Sequence, residues 1–134
     1  MYEYRVKKVN KVVDGDTIDV DIDLGFDVTF SSRVRLNGID TPESRTTDLN
    51  EKKLGLECKE YLKHAISIAK VVVIQTEKPD SSEKYGRILG TLFLDGVNLN
   101  QQMIDKGYAW GYDGGTKKKD FELLKTRRIS NSSI

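Results

Sequence analysis

Short β-type segments interrupted by one long helical segment predict an α+β fold that is mainly β. The expected architecture is a five-stranded barrel with two or three helices packed on it. Three observations carry this. Ile18, Val20 and Ile22 alternate with Asp19, Asp21 and Asp23, as in a strand with one wet face. Asp95-Gly96, between apolar runs, is a favoured two-residue hairpin turn. Between these features, Cys58, Tyr61, Leu62, Ala65 and Ala69 recur at helical spacing.

The elements follow in order. Tyr4 to Val13 has β-rich composition with interspersed lysines and reads as a strand. Asp14-Gly15-Asp16 is a turn, and the alternating strand after it is broken by Gly25. Val28 to Leu36 is a third strand, with Val34 and Leu36 on one side and Arg33 and Arg35 on the other. Asn37 to Lys53 is polar, contains Pro42 and reads as a long loop, a length usually tied to function. Leu54 to Lys70 is the helix, and Val71 to Ile74 a buried strand. Pro79 to Lys84 is a polar loop, and Arg87 to Leu94 with Val97 forms the hairpin. Asn98, with Gln101 three residues on, caps a short helix that Gly107 ends. Asp120 to Arg128 forms a last helix. Five short strands with an inserted helix suggest a barrel of the oligonucleotide-binding (OB) type. The 134 residues read as a single domain over 1–128, with 129–134 a flexible C-terminal tail.

Composition narrows the function. Hydrophobic residues make up 37% and charged residues 32%, which suits one small core under a heavily solvated surface. A net charge of +1 counts against a module that binds nucleic acid by charge alone. It fits acidic groups, crowded between Asp14 and Glu57, that are occupied by a bound cation. With one cysteine (Cys58) and one histidine (His64), an intrachain disulfide and a Cys/His zinc site are excluded. The N-terminal residues lack the apolar run of a signal peptide, and no stretch is long and apolar enough to span a membrane. The expectation is a cytoplasmic monomer with no membrane association and no obligate protein partner.

Three short blocks stand out: Asp14-Gly15-Asp16-Thr17; Arg35, followed five residues on by Asp40-Thr41-Pro42-Glu43; and Lys84-Tyr85-Gly86-Arg87. Singly, each has a bland reading as a turn, a loop bend or a strand entry. Together, and in this order, they resemble the signature of the staphylococcal nuclease (thermonuclease-like) family. The resemblance covers roughly Val9 to Tyr112. It implies a calcium-dependent endonuclease acting on DNA, with RNA as a further candidate substrate, and leaving 3′-phosphate ends. By resemblance, Asp16, Asp40 and the Thr41 backbone carbonyl bind Ca2+, with Asp14 and Glu43 in the outer shell. Arg35 and Arg87 grip the phosphate, and Glu43 is the general base or positions the water. Lys84 and Tyr85 line the nucleotide pocket. Tyr112 is the nearest match to a second pocket tyrosine, one residue closer to Gly107 than the family spacing, with Tyr108 and Trp110 as competitors.

These residue types suit the chemistry. Phosphodiester cleavage adds negative charge to an anionic centre, so fixed positive charge aimed there lowers the barrier. A guanidinium can hold two phosphate oxygens at once, which lysine cannot. Carboxylates are hard oxygen ligands suited to calcium. The alternative is a non-catalytic OB-fold module that binds nucleic acid, although degenerate members usually lose the carboxylates or arginines retained here.

Other features read as structural. Asp19 to Gly25 approaches an EF-hand loop, but its glycine is one position late and its twelfth position is Phe30. His64 is read as a surface or half-buried side chain and Cys58 as a small core residue. The Lys117-Lys118-Lys119 and Arg127-Arg128 runs are read as solvated charge. The stretch from Thr17 to Arg35 is longer than in the best-known member, and Asp113 to Arg128 shows no convincing match.

Overall fold

Strand β1 (Tyr2–Asp14) is long enough to serve two neighbours. Its start pairs with β5 (Val72–Thr76) and the rest with β2 (Thr17–Asp23), both antiparallel. Register shifts between Val6 and Lys8, Val9 and Lys11, and Val12 and Asp14 bend it between those partners. Strand β2 pairs with β3 (Thr29–Leu36), and β5 with β6 (Ile88–Leu94). Val34, Arg35 and Leu36 then pair in parallel with Ile88, Leu89 and Gly90. This closes β3-β2-β1-β5-β6 into the expected five-stranded barrel of the OB type. The structure, a computed structural model, describes residues 2–76, 88–113 and 119–132.

Two smaller pairings sit outside the barrel. Strand β4 (Ile39–Asp40) pairs with β8 (Trp110–Gly111). Strand β7 (Val97–Asn98) forms the hairpin with β6 across Asp95 and Gly96, whose φ values of 50° and 86° suit the expected turn. The Asp95 carboxylate also accepts from the backbone N–H groups of Lys70 and Val71, at 3.0 and 2.8 Å, and so ties the helix exit to the hairpin.

The alternation in β2 is borne out. Ile18, Val20 and Ile22 are buried with Val34, Leu36, Ile74 and Leu92. On the outer face, Asp19 accepts from Arg33 at 2.8 Å, a bond that lowers the carboxyl pKa. Arg35 departs from the expected pattern. It shares the outward side with Arg33, yet it is buried, and the next subsection gives the reason.

Helix α1 (Leu49–Ile68) starts earlier than the expected Leu54. Asp48 caps it, its side chain accepting from the N–H groups of Asn50 and Glu51. The loop expected over Asn37 to Lys53 is correspondingly short, being divided by β4 and ended by the helix start. Cys58 and Leu62 are fully buried, while Ala69 lies just past the helix as its C-terminal cap. His64 is exposed, as expected. Helix α2 (Leu99–Asp105) is capped by Asn98 accepting from the Gln101 N–H at 3.0 Å. The Gln101 side chain does not complete the reciprocal box; it donates to Asp105 instead. Helix α3 (Phe121–Ser132) runs past the expected end at Arg128, so the tail drawn from residue 129 begins within a helix. Among the described residues, no helix is long and apolar enough to cross a membrane.

Asn100 locks α2 to the barrel. Its amide donates to the carbonyls of Asn37 (2.8 Å) and Gly90 (3.2 Å), and its oxygen accepts from the Leu92 N–H (3.2 Å). Asn100→Ala should orphan these groups and cost about 2–3 kcal/mol of stability in denaturant melts. Asp95 should give a pH signature. Its native pKa is lowered, chiefly by the bond from the Val71 N–H and then by that from Lys70. Its contribution is present above the ordinary carboxylate value and is lost as pH falls through the depressed native value. Asp95→Asn should therefore lower the melting temperature at neutral pH and converge on wild type in strong acid.

Candidate active site

The turn between β1 and β2 is pressed against α1. A Cβ at Gly15 would lie 2.5 Å from the Cys58 sulfur and 3.1 Å from Thr41 Oγ1. Only glycine allows that approach without displacement, so the turn, the helix and the start of the loop after β4 meet at one place. Asp14 accepts from the Gly15 N–H at 3.0 Å, and Asp16 from the Thr17 hydroxyl at 2.9 Å. The Leu36 N–H donates to the Asp16 carbonyl at 2.8 Å, which sets the turn beside the end of β3.

Arg35 lies at that junction with 8% of its surface exposed. Its Nη1 donates to the carbonyls of Leu36 (3.0 Å) and Ile39 (2.9 Å). The same nitrogen lies 3.4 Å from Asp16 Oδ2, and Nη2 lies 3.7 Å from Asp40 Oδ1. The latter distance exceeds a good hydrogen bond, so Nη2 is paired with Asp40 by charge rather than by a formed bond. A charge this buried requires such partners.

A cleft of about 340 Å³ opens beside Arg35, lined also by Leu36 to Ile39, Leu89, Tyr112 and Asp113. Tyr112 is fixed there by its N–H donating to the Gly38 carbonyl at 2.8 Å. The competing aromatics are engaged elsewhere. Tyr108 stacks on Tyr61 (centroids 4.2 Å apart) beneath Arg128. Trp110 is buried and donates to the Asp120 carbonyl at 2.8 Å.

Glu43 stands apart from the Arg35 group in its contacts. Its side chain is 56% exposed, and its carboxylate lies 3.8 Å from the Lys119 ammonium. Its N–H donates to Glu51 at 3.1 Å. Lys84, Tyr85 and Arg87 lie outside the described residues.

The donor chemistry suits a hard cation. Asp16 and Asp40 converge on one guanidinium, and the Thr41 hydroxyl is buried without a hydrogen-bond partner. Among the described residues, no three His, Cys, Asp or Glu side chains gather into a ready cage. Among the described residues, Asp16 and Asp40 would be the charged ligands, with backbone carbonyls and water as further oxygen donors. Calcium accepts such a mixture of oxygen donors.

Sequence reasoning missed Glu51, Gly55 and Lys119. A signal existed for two of them. Asp48-x-x-Glu51 has helix-cap spacing, and a glycine inside a helix needs a reason. At Gly55 a Cβ would lie 2.5 Å from the Glu43 backbone carbon and oxygen. Nothing local marks Lys119 among its neighbouring lysines.

The closed five-stranded barrel with its packed helices places the chain in the class of OB-type folds. Comparison with known proteins gives the family. The profile described as "Staphylococcal nuclease homologue" matches residues 33–129, and the chain belongs to that family. The match continues past Tyr112, through the segment that showed no convincing resemblance by inspection. An uncharacterized protein of Bacillus anthracis is 37% identical over 76% of the chain, which spans 45% of that protein. An uncharacterized endonuclease of Escherichia coli is 34% identical over 79% of the chain and 60% of its own length. The SPbeta prophage-derived endonuclease YokF of Bacillus subtilis is 28% identical over 91% of the chain and 42% of its own length. The chain thus spans about half the length of these relatives.

Gly55→Ala should push the Glu43 loop off the helix. A stability loss of about 1–3 kcal/mol is expected, with amide shifts at residues 41–44 exceeding those in the barrel.

Proposed function

We propose that this chain is a calcium-dependent nuclease that hydrolyses DNA, with RNA as a second substrate, and leaves 3′-phosphate ends. The observation that carries the reading is the buried Arg35 held between Asp16 and Asp40 beside an open cleft. Family membership and two relatives named as endonucleases support it.

Charge supports the need for a metal. Among the described residues, Asp16 and Asp40 set two carboxylates against the one guanidinium of Arg35, an excess of negative charge that repels a phosphate and that a divalent cation would reverse. Calcium held by Asp16, Asp40 and the Thr41 carbonyl, with Asp14 and Glu43 in the outer shell, would supply positive charge at the scissile phosphate. Arg35 commits Nη1 to two carbonyls, while Nη2 faces Asp40 at 3.7 Å without a formed hydrogen bond and so has donor capacity for a phosphate oxygen. Glu43 orients a water molecule and takes its proton as the oxygen attacks phosphorus. The bond to the 5′ oxygen then breaks, Arg87 hydrogen-bonding the departing oxygen, which takes a proton from solvent water while Glu43 releases its own to solvent. Tyr112, with Lys84 and Tyr85, holds the adjacent nucleotide, the aromatic rings offering faces on which a base stacks.

The test incubates purified protein with single-stranded DNA, duplex DNA and RNA under calcium, magnesium or a chelator, with the product ends mapped. Calcium-dependent cleavage to 3′-phosphates is expected, abolished by chelation. Glu43→Gln should lower turnover by about 10²–10⁴-fold with little change in nucleotide affinity. Arg35→Lys should lower it by about 10²-fold although the charge is kept. Nucleic-acid binding without cleavage under every metal condition would favour the non-catalytic module instead.

A further inference from the structure

Glu43 sits on a loop with more than half of its side chain exposed, a poor footing for a group that must aim a water molecule. Two residues outside the family signature blocks brace it. Glu51, in the first turn of α1, is buried, and its Oε2 accepts both the Glu43 N–H (3.1 Å) and the Lys119 ammonium (2.9 Å). Lys119 Nζ also lies 3.8 Å from Glu43 Oε1. One ammonium thus bridges two carboxylates that would otherwise repel each other. A carboxylate buried as deeply as that of Glu51 calls for a partner of opposite charge, and Lys119 supplies it. The Glu51 hydrogen bond raises the Lys119 pKa, which secures the positive charge. Lys119 comes from a point 68 residues further along the chain than Glu51, just before α3, so the brace joins distant segments.

We propose that Lys119 and Glu51 are a positioning pair that fixes the loop and carboxylate of Glu43 for the reaction. The inference rests on the role proposed above for Glu43. Lys119 acts through Glu43 and Glu51 rather than on the phosphate, so its loss should reduce turnover more than substrate binding.

The test uses the full chain as wild type, Lys119→Met and Lys119→Arg. Amide hydrogen exchange is followed without metal or nucleic acid, and kcat and KM are measured with calcium and single-stranded DNA. In Lys119→Met, exchange at the Glu43 amide should rise about tenfold. The Val20 and Val34 amides should hold their rates, which shows that the barrel is intact. Turnover should fall about tenfold or more with KM within about twofold of wild type. Lys119→Arg should restore most of both properties. Glu43 exchange within about twofold of wild type in Lys119→Met would overturn the positioning pair, whatever the activity. A wild-type chain that cleaves nothing would overturn the nuclease reading alone, because the exchange measurement needs no catalysis.

Discussion

Burial of the Arg35 guanidinium is the constraint on which the rest of the site depends. A permanent positive charge taken out of water must be compensated locally, or the fold loses several kcal/mol. Compensation comes from four sources on three segments: the carbonyls of Leu36 and Ile39, Asp16 in the turn after β1, and Asp40 in β4. Each segment is held by its own backbone bonds. The Leu36 N–H reaches the Asp16 carbonyl, and β4 is paired with β8. The barrel therefore closes around a charge, and the groups that neutralise it are the ones the proposed chemistry would use.

Helix α1 is the second organiser. Gly15 and Gly55 let the turn and the Glu43 loop lie directly on it, where any side chain would intrude within 2.5 Å. Cys58 beneath Gly15 is fully buried, and that burial pushes its thiol pKa up, so it behaves as packing material rather than a nucleophile. The helix thus carries the Asp16 turn at Cys58 and the Glu43 loop at Gly55, with Glu51 adding a charged tie to Lys119.

Much of the barrel was legible because strand signals are local. The Ile18-Val20-Ile22 alternation, the Asp95-Gly96 turn and the Asn98 cap depend on residues adjacent in sequence, and each appears as expected. The helix start was misplaced. Leu49 and the residues just after it are largely exposed and lack an apolar stripe, so only the Asp48 cap marks the beginning. Arg35 could not be recognised as buried from its place on the wet side of β3, because β4, which supplies the Ile39 carbonyl and Asp40 around it, comes from further along the chain.

The amino-acid sequence by itself determined the strand periodicity, the turns and the set of charged residues available for chemistry, since these follow from the order of side chains along one chain. Only the tertiary structure decided which of them meet. It brought Tyr112 to the cleft while committing Tyr108 and Trp110 to packing, drew Asp16 and Asp40 onto Arg35, and placed Lys119 against Glu51 and Glu43. The physical reason is that electrostatic pairing and burial act through space, so a charge far along the chain has no local mark until the fold sets it opposite its partner.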